Sequence, residues 1–197
     1  NYLPAYTALA SLLVGRNQID AAVAQYKKLL QKKPSSPVFT LLGMLEESRN
    51  NPAAAEENYR RALEIAPDAA IAANNLAWLL SENEQGNLDE ALRLAQSAVT
   101  SDQNAALFYD TLGYVYFKKG LNSQAIEHFK KAVALDQAEA RKTGVAANPS
   151  FRLRLGMALA SAGDKANARR EVVVALQSEE NLTQKEAAQA RTLLSSL

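Results

Sequence analysis

Residues 109–136, YDTLGYVYFKKGLNSQAIEHFKKAVALD, read as two short helices joined by a tight turn. The first helix carries Leu112, Gly113 and Tyr116 at helical spacing, Gly120 marks the turn, and the second carries Ala125, Phe129 and Ala132. Each helix has one apolar stripe, so the pair can bury those stripes only against each other and against similar neighbours.

Working outward, the neighbours are present. Leu112-Gly113 recurs as Leu42-Gly43 and Leu155-Gly156, and with alanine for glycine as Leu9-Ala10 and Leu76-Ala77. Twelve positions beyond the small residue comes Ala22, Ala55, Ala125 or Ala168; in the third copy Ala91 comes fourteen beyond. Four further on stand Tyr26, Tyr59, Ala95, Phe129 and Val172, and three beyond those Leu29, Ala62, Ala98, Ala132 and Ala175. The steric logic is direct. Small residues let two helix backbones approach, and the large side chain four residues on fills the gap beside them. Pro34 and Pro67 lack an amide hydrogen and end the second helices of the first two units.

This pattern resembles the tetratricopeptide repeat, a 34-residue helix–turn–helix unit. The resemblance covers the chain from about Leu3 to Glu180 in five copies. It implies an all-α, right-handed superhelical solenoid, one domain over 1–197. The units fall at about 3–35, 36–69, 70–105, 106–148 and 149–181, followed by a capping helix over 183–197. In that last segment Thr183 and Glu186 form a capping-box signature, and Ala187, Ala190, Leu194 and Leu197 make one stripe to cover the last repeat.

Two units depart from the period. The turn of the third, Ser81–Asn87, is two residues longer, and its aromatic position holds Ala95. Leu112 and Leu155 are 43 apart, so the second helix of the fourth unit is expected to run on and end near Gly144.

Composition limits the function. A net charge of +1 and a charged fraction of 22% give no bias towards nucleic acid or anionic membrane. The lysines at 27, 28, 32 and 33 read as a solvated helix face. There are no cysteines, hence no disulfide or thiol chemistry, and no apolar run approaches a membrane span. His128 is the only histidine and reads as a rim residue. The pairs Glu46-Glu47 and Glu56-Glu57 are helix neighbours that do not face each other. Neither a phosphate-cradling glycine loop nor a metal-ligand spacing is present. No catalysis, cofactor or metal is expected. The chain begins at Asn1 inside a repeat, so a longer protein with upstream repeats or a targeting segment is expected.

In this family the first helix of each unit lines an inner groove, which implies a protein or peptide partner. The inward positions are Thr7 and Ser11, Thr40 and Met44, Asn74 and Trp78, then Asp110, Tyr114 and Phe117, and Leu153 and Met157. Met44, Trp78, Tyr114 and Met157 form a ladder of one rung per repeat, the residue types that peptide-binding surfaces use. Family members that bind acidic C-termini of heat-shock chaperones use a lysine/asparagine/arginine clamp. The matching positions hold Thr7, Ser11, Leu41, Ile71 and Asn75, or Thr40, Met44, Asn75, Leu107 and Thr111 one unit on. Only Asn75 fits, so that mode is not expected.

The runs 74–80, 110–120 and 155–171 are also similar to repeats of bacterial secretion and exopolysaccharide proteins, including those beside exosortase (PEP-CTERM) systems. That similarity implies a bacterial, periplasmic setting. The leading expectation is a non-catalytic interaction scaffold. Its alternatives are an accessory module of a larger enzyme or assembly protein, and a self-association module that binds a second copy.

Overall fold

The computed structural model describes Ala8, residues 11–16 and residues 18–197. Ala8 and residues 11–15 are helical. Nine further helices alternate in antiparallel pairs: α1 (Ile19–Lys32), α2 (Ser36–Ser48), α3 (Pro52–Ile65), α4 (Ala70–Glu82), α5 (Leu88–Ser101), α6 (Ala106–Lys118), α7 (Asn122–Thr143), α8 (Pro149–Ser161) and α9 (Lys165–Leu176). A short 3-10 turn, Glu179–Asn181, leads into the last helix, α10 (Gln184–Ser196). Among the described residues there is no strand, and no helix is long and apolar enough to cross a membrane.

The helix ends follow local chemistry. Asn51, Asn87, Asn148 and Asp164 each accept a backbone amide from the first turn of α3, α5, α8 and α9. Thr183 and Glu186 close a full capping box on α10. The three-residue turns between paired helices carry one left-handed residue at the same place: Asn50 (φ 55°), Gly120 (φ 74°) and Gly163 (φ 85°). Asparagine and glycine are the residues that tolerate this conformation at least cost. The α4–α5 connection is longer, Asn83–Asn87. The α7 helix has 22 residues against 14 in α3 and α5, and stops at Gly144 with φ 74°. Its return loop is tied back by the Asn148 amide, which donates to Asp136 Oδ2 at 2.7 Å.

Packing within each pair is decided where two backbones nearly touch. A methyl group added at Gly43 would stand 2.5 Å from the Tyr59 ring, at Gly113 2.8 Å from Phe129, and at Gly156 2.6 Å from Val172. Each of those large side chains is fully buried. The third unit reaches the same closeness by other means. Ala77 faces a site where Ala95 replaces the aromatic, and both are fully buried, so bulk lost on one helix is partly restored on the other.

Each helix packs on its partner and on the next unit. The first helices α2, α4, α6 and α8 also touch one another in succession, and so form a continuous face. On the far end α10 packs against α8 and α9. Its Ala190 is buried with Leu153, Val172 and Ala175, while Leu193 and Leu194 pack on the same cluster. Leu197 reaches the cluster that contains Ala168.

Candidate functional site

The face built by α2, α4, α6 and α8 carries the residues the sequence singles out, at unequal depths. One turn ahead of each small residue stand Thr40, Asn74, Asp110 and Leu153, and all four are buried. These inward positions form the deepest layer of the face and line its hollows from beneath. Thr40 spends its hydroxyl on the Ser36 carbonyl at 2.9 Å. One turn later come Met44, Trp78, Tyr114 and Met157, which remain open to solvent to differing degrees, Met44 most of all at 44%. Ser11 is exposed, and Thr7 lies outside the described residues.

The ladder is not a row of separate rungs. The rings of Trp78 and Tyr114 stack with centroids 4.6 Å apart, and Phe117, half-buried, tilts against Tyr114 at 6.4 Å. The guanidinium of Arg154 also stands over the Trp78 ring, 5.2 Å from its centroid. Arg154 is the residue the sequence reading passed over. It stands 43 residues after Thr111, the same offset as Leu155 from Leu112, so the register could have placed it. Its Nε donates to Asp110 Oδ1 at 2.9 Å and its Nη1 to Glu186 Oε1 at 3.3 Å. Glu186 comes from α10, so the closing helix contributes to this face as well as to the end of the stack.

Burial and charge pull against each other in this centre. Complete burial holds the Asp110 carboxyl above its ordinary value, against the pull of Arg154. Burial alone would lower the Arg154 guanidinium, but the Asp110 charge and hydrogen bond outweigh it and leave it raised. Burial would likewise raise Glu186; hydrogen bonds from the Thr183 amide and hydroxyl, with Arg154 nearby, hold it below its usual range. On the flanks, the Tyr114 phenol donates to Glu82 and the Tyr59 phenol to Glu47, while Asn75 Nδ2 donates to Tyr59 Oη at 3.3 Å. Both phenols are pushed up, first by burial and then by the adjacent carboxylate.

Three hollows run along the face. The first, about 480 Å³, is almost wholly apolar and is walled by Leu41, Met44 and Ile71. The second, about 310 Å³, lies between Met44, Trp78 and Leu107, with Asn74 and Asp110 among its lining residues. The third, about 290 Å³, lies between Trp78, Tyr114, Met157 and the α10 residues Lys185 and Glu186. Met44 is shared by the first two, and Trp78 and Arg154 by the last two. Two oxygens in the middle, Asn74 Oδ1 and Asp110 Oδ2, are buried and have no hydrogen-bond partner among the described residues.

Elsewhere, His128 stacks on Tyr116 at 5.2 Å, and burial lowers its basicity. Among the described residues, no cluster of three or more histidines, aspartates or glutamates is placed to hold a metal ion.

One family model of the tetratricopeptide repeat matches residues 1–143, and a second matches residues 111–179. The chain belongs to the tetratricopeptide repeat family. Solved tetratricopeptide structures share its fold at low identity. MamA from Desulfovibrio magneticus RS-1 is 17% identical, with a TM-score of 0.73, over 93% of this chain and 98% of that one. PilF of Pseudomonas aeruginosa is 22% identical, with a TM-score of 0.72, over 98% and 87%. YrrB, described as a tetratricopeptide protein with an unusual peptide-binding site, is 19% identical, with a TM-score of 0.68, over 95% and 90%. No curated protein sequence matches the chain significantly.

Proposed function

We propose that this tetratricopeptide protein is a non-catalytic scaffold that holds a segment of another protein along the face of α2, α4, α6 and α8. The observation that carries this reading is the continuity of the three hollows, which share Met44 and then Trp78 and Arg154. An extended segment rises about 3.3 Å per residue and sends every second side chain to the same side, so adjoining hollows can take alternate side chains of one strand-like peptide. The walls are methionine, tryptophan, tyrosine and leucine around a few fixed polar groups, the make-up of recognition surfaces. YrrB is described as carrying a peptide-binding site, and a similar use of the fold is inferred here.

The test is a selection of displayed random peptides on the full chain, followed by groove and control variants. Met44→Glu places a charge between the first two hollows at an exposed position, so the fold should tolerate it. Arg169→Glu makes a change of charge at an exposed position of α9. The selected peptides should lose binding to the first variant and keep it for the second. Binders that are indifferent to Met44→Glu would place recognition elsewhere and defeat the proposal.

A further inference from the structure

The middle hollow has a chemical preference of its own. Its two buried orphan oxygens are both acceptors. Asn74 is 2% exposed and Asp110 is 0% exposed, and neither can turn to water without giving up an existing bond. Asn74 Nδ2 already donates to Asn75 Oδ1 at 3.1 Å, and Asp110 Oδ1 already accepts from Arg154. A buried acceptor left unmet forfeits its hydration without compensation, so the hollow favours whatever brings donors to it. Charge points the same way. Glu47 and Asp110 line the hollow with Arg154 as the only basic residue among its lining, a balance of two negative groups to one positive. Met44, Trp78 and Leu107 give the remaining wall its apolar part, with Asn75 and Thr111 beside them.

We propose that this hollow takes the side chain of a lysine from the bound segment. The proposal rests on the groove reading above and names what the centre of that groove selects. A lysine has a four-carbon stem that fits against methionine, indole and leucine, and a head with three donors and no acceptor. Those donors match Asn74 Oδ1, Asp110 Oδ2 and the Glu47 carboxylate, and the added charge neutralises the hollow. A carboxylate or phosphate would set acceptors against acceptors. The adjoining hollow at Leu41 and Ile71 is apolar and shares Met44, so an aliphatic side chain is expected close to the lysine in the same segment.

The experiment uses the peptides selected on the full chain, each remade with norleucine in place of each lysine in turn. Norleucine keeps the stem and loses the ammonium. One lysine should prove decisive, its replacement weakening binding by about tenfold or more, since hydrogen bonds to a charged group are at stake. On Asn74→Leu protein the lysine-to-norleucine ratio should fall towards one. Where that variant does not fold, the norleucine series on unmodified protein decides alone. Binders that are blocked by Met44→Glu but indifferent to every norleucine replacement would overturn the lysine assignment and leave the groove reading standing. A complex with water instead of an ammonium on Asn74 Oδ1 and Asp110 Oδ2 would overturn it in the same way. Failure to obtain any Met44→Glu-sensitive binder would remove both.

Discussion

Replacing Arg154 by methionine tests whether the centre of the face is held by charge. Methionine keeps much of the side-chain volume and the contact with Trp78 but removes the one hydrogen-bond partner that a fully buried carboxylate has among the described residues. Asp110 Oδ2 is already unpartnered, so the change strands both of its oxygens. Breaking a buried pair in this way costs about 3–5 kcal/mol, or a fall in Tm of roughly 6–20 °C at 2–4 °C per kcal/mol for a chain of this size. Asp110→Asn leaves Arg154 with Glu186 and should cost less. The double variant Asp110→Asn/Arg154→Met should be more stable than the sum of the single costs predicts, by about 1–3 kcal/mol. The pH dependence carries the sign. The Asp110 carboxyl is raised by burial, and losing Arg154 removes the main influence that lowers it. A carboxyl raised in the folded state contributes stability that is full below its unfolded value, about 3.9, and lost as pH rises through the folded value. The cost of Arg154→Met should therefore be smallest in acid and grow towards neutral pH, and the double variant should lack that trend. Urea denaturation of all four proteins at several pH values measures it. A cost for Arg154→Met below about 1 kcal/mol, the level of an exposed pair, with no change across pH would refute the reasoning.

Other outcomes follow from the packing. Ending the chain after Asn181 strips α10 from Leu153, Val172 and Ala175 and removes Glu186 from Arg154. The loss of apolar burial, at about 25 cal/mol per Å², should cost a few kcal/mol and promote association; an unchanged Tm and a monomer in sedimentation would contradict it. Ala125→Leu adds bulk at a fully buried contact of α7 and should cost roughly 1–3 kcal/mol, whereas Ala138→Leu, exposed on the extension of the same helix, should be nearly neutral in the same denaturation assay. Trp78→Ala should weaken a groove-bound peptide by about 2 kcal/mol or more in titration calorimetry, and lower stability by about 0.5–1.5 kcal/mol through the lost stack on Tyr114.

How far the sequence could be read depended on the range of each interaction. Gly43 with Tyr59 and Gly113 with Phe129 lie within one helix pair, so their spacing recurs and the fold is legible from them. The stack of Trp78 on Tyr114 joins two units, and it becomes visible only when successive repeats are laid over one another. Arg154 lies beyond the lengthened α7, where the period breaks, and its partner Glu186 comes from a helix outside the repeat altogether. Glu46 shows the same limit. Its neighbour Glu47 stays half-buried, accepting from the Tyr59 phenol and lining the second hollow, whereas Glu46 is buried at 1% exposure, held by Arg49 at 3.0 Å and by Asn51 at 3.2 Å. Adjacent residues on a helix can have different fates, and pair spacing alone does not reveal which one is buried. The floor residues Asn74 and Asp110 read as groove-lining from their register; their depth depends on how closely α4 and α6 pack, which no local pattern encodes.

The sole tryptophan of the chain stands where the second and third hollows meet, so its emission reports on the proposed surface directly. Titrating a selected peptide while recording Trp78 emission and its quenching by acrylamide is the most direct measurement. A segment lying along α2, α4, α6 and α8 should shift the emission and reduce quencher access in proportion to the fraction bound. Saturating binding, confirmed by calorimetry, with emission and quenching unchanged would show that this face is not where partners are held.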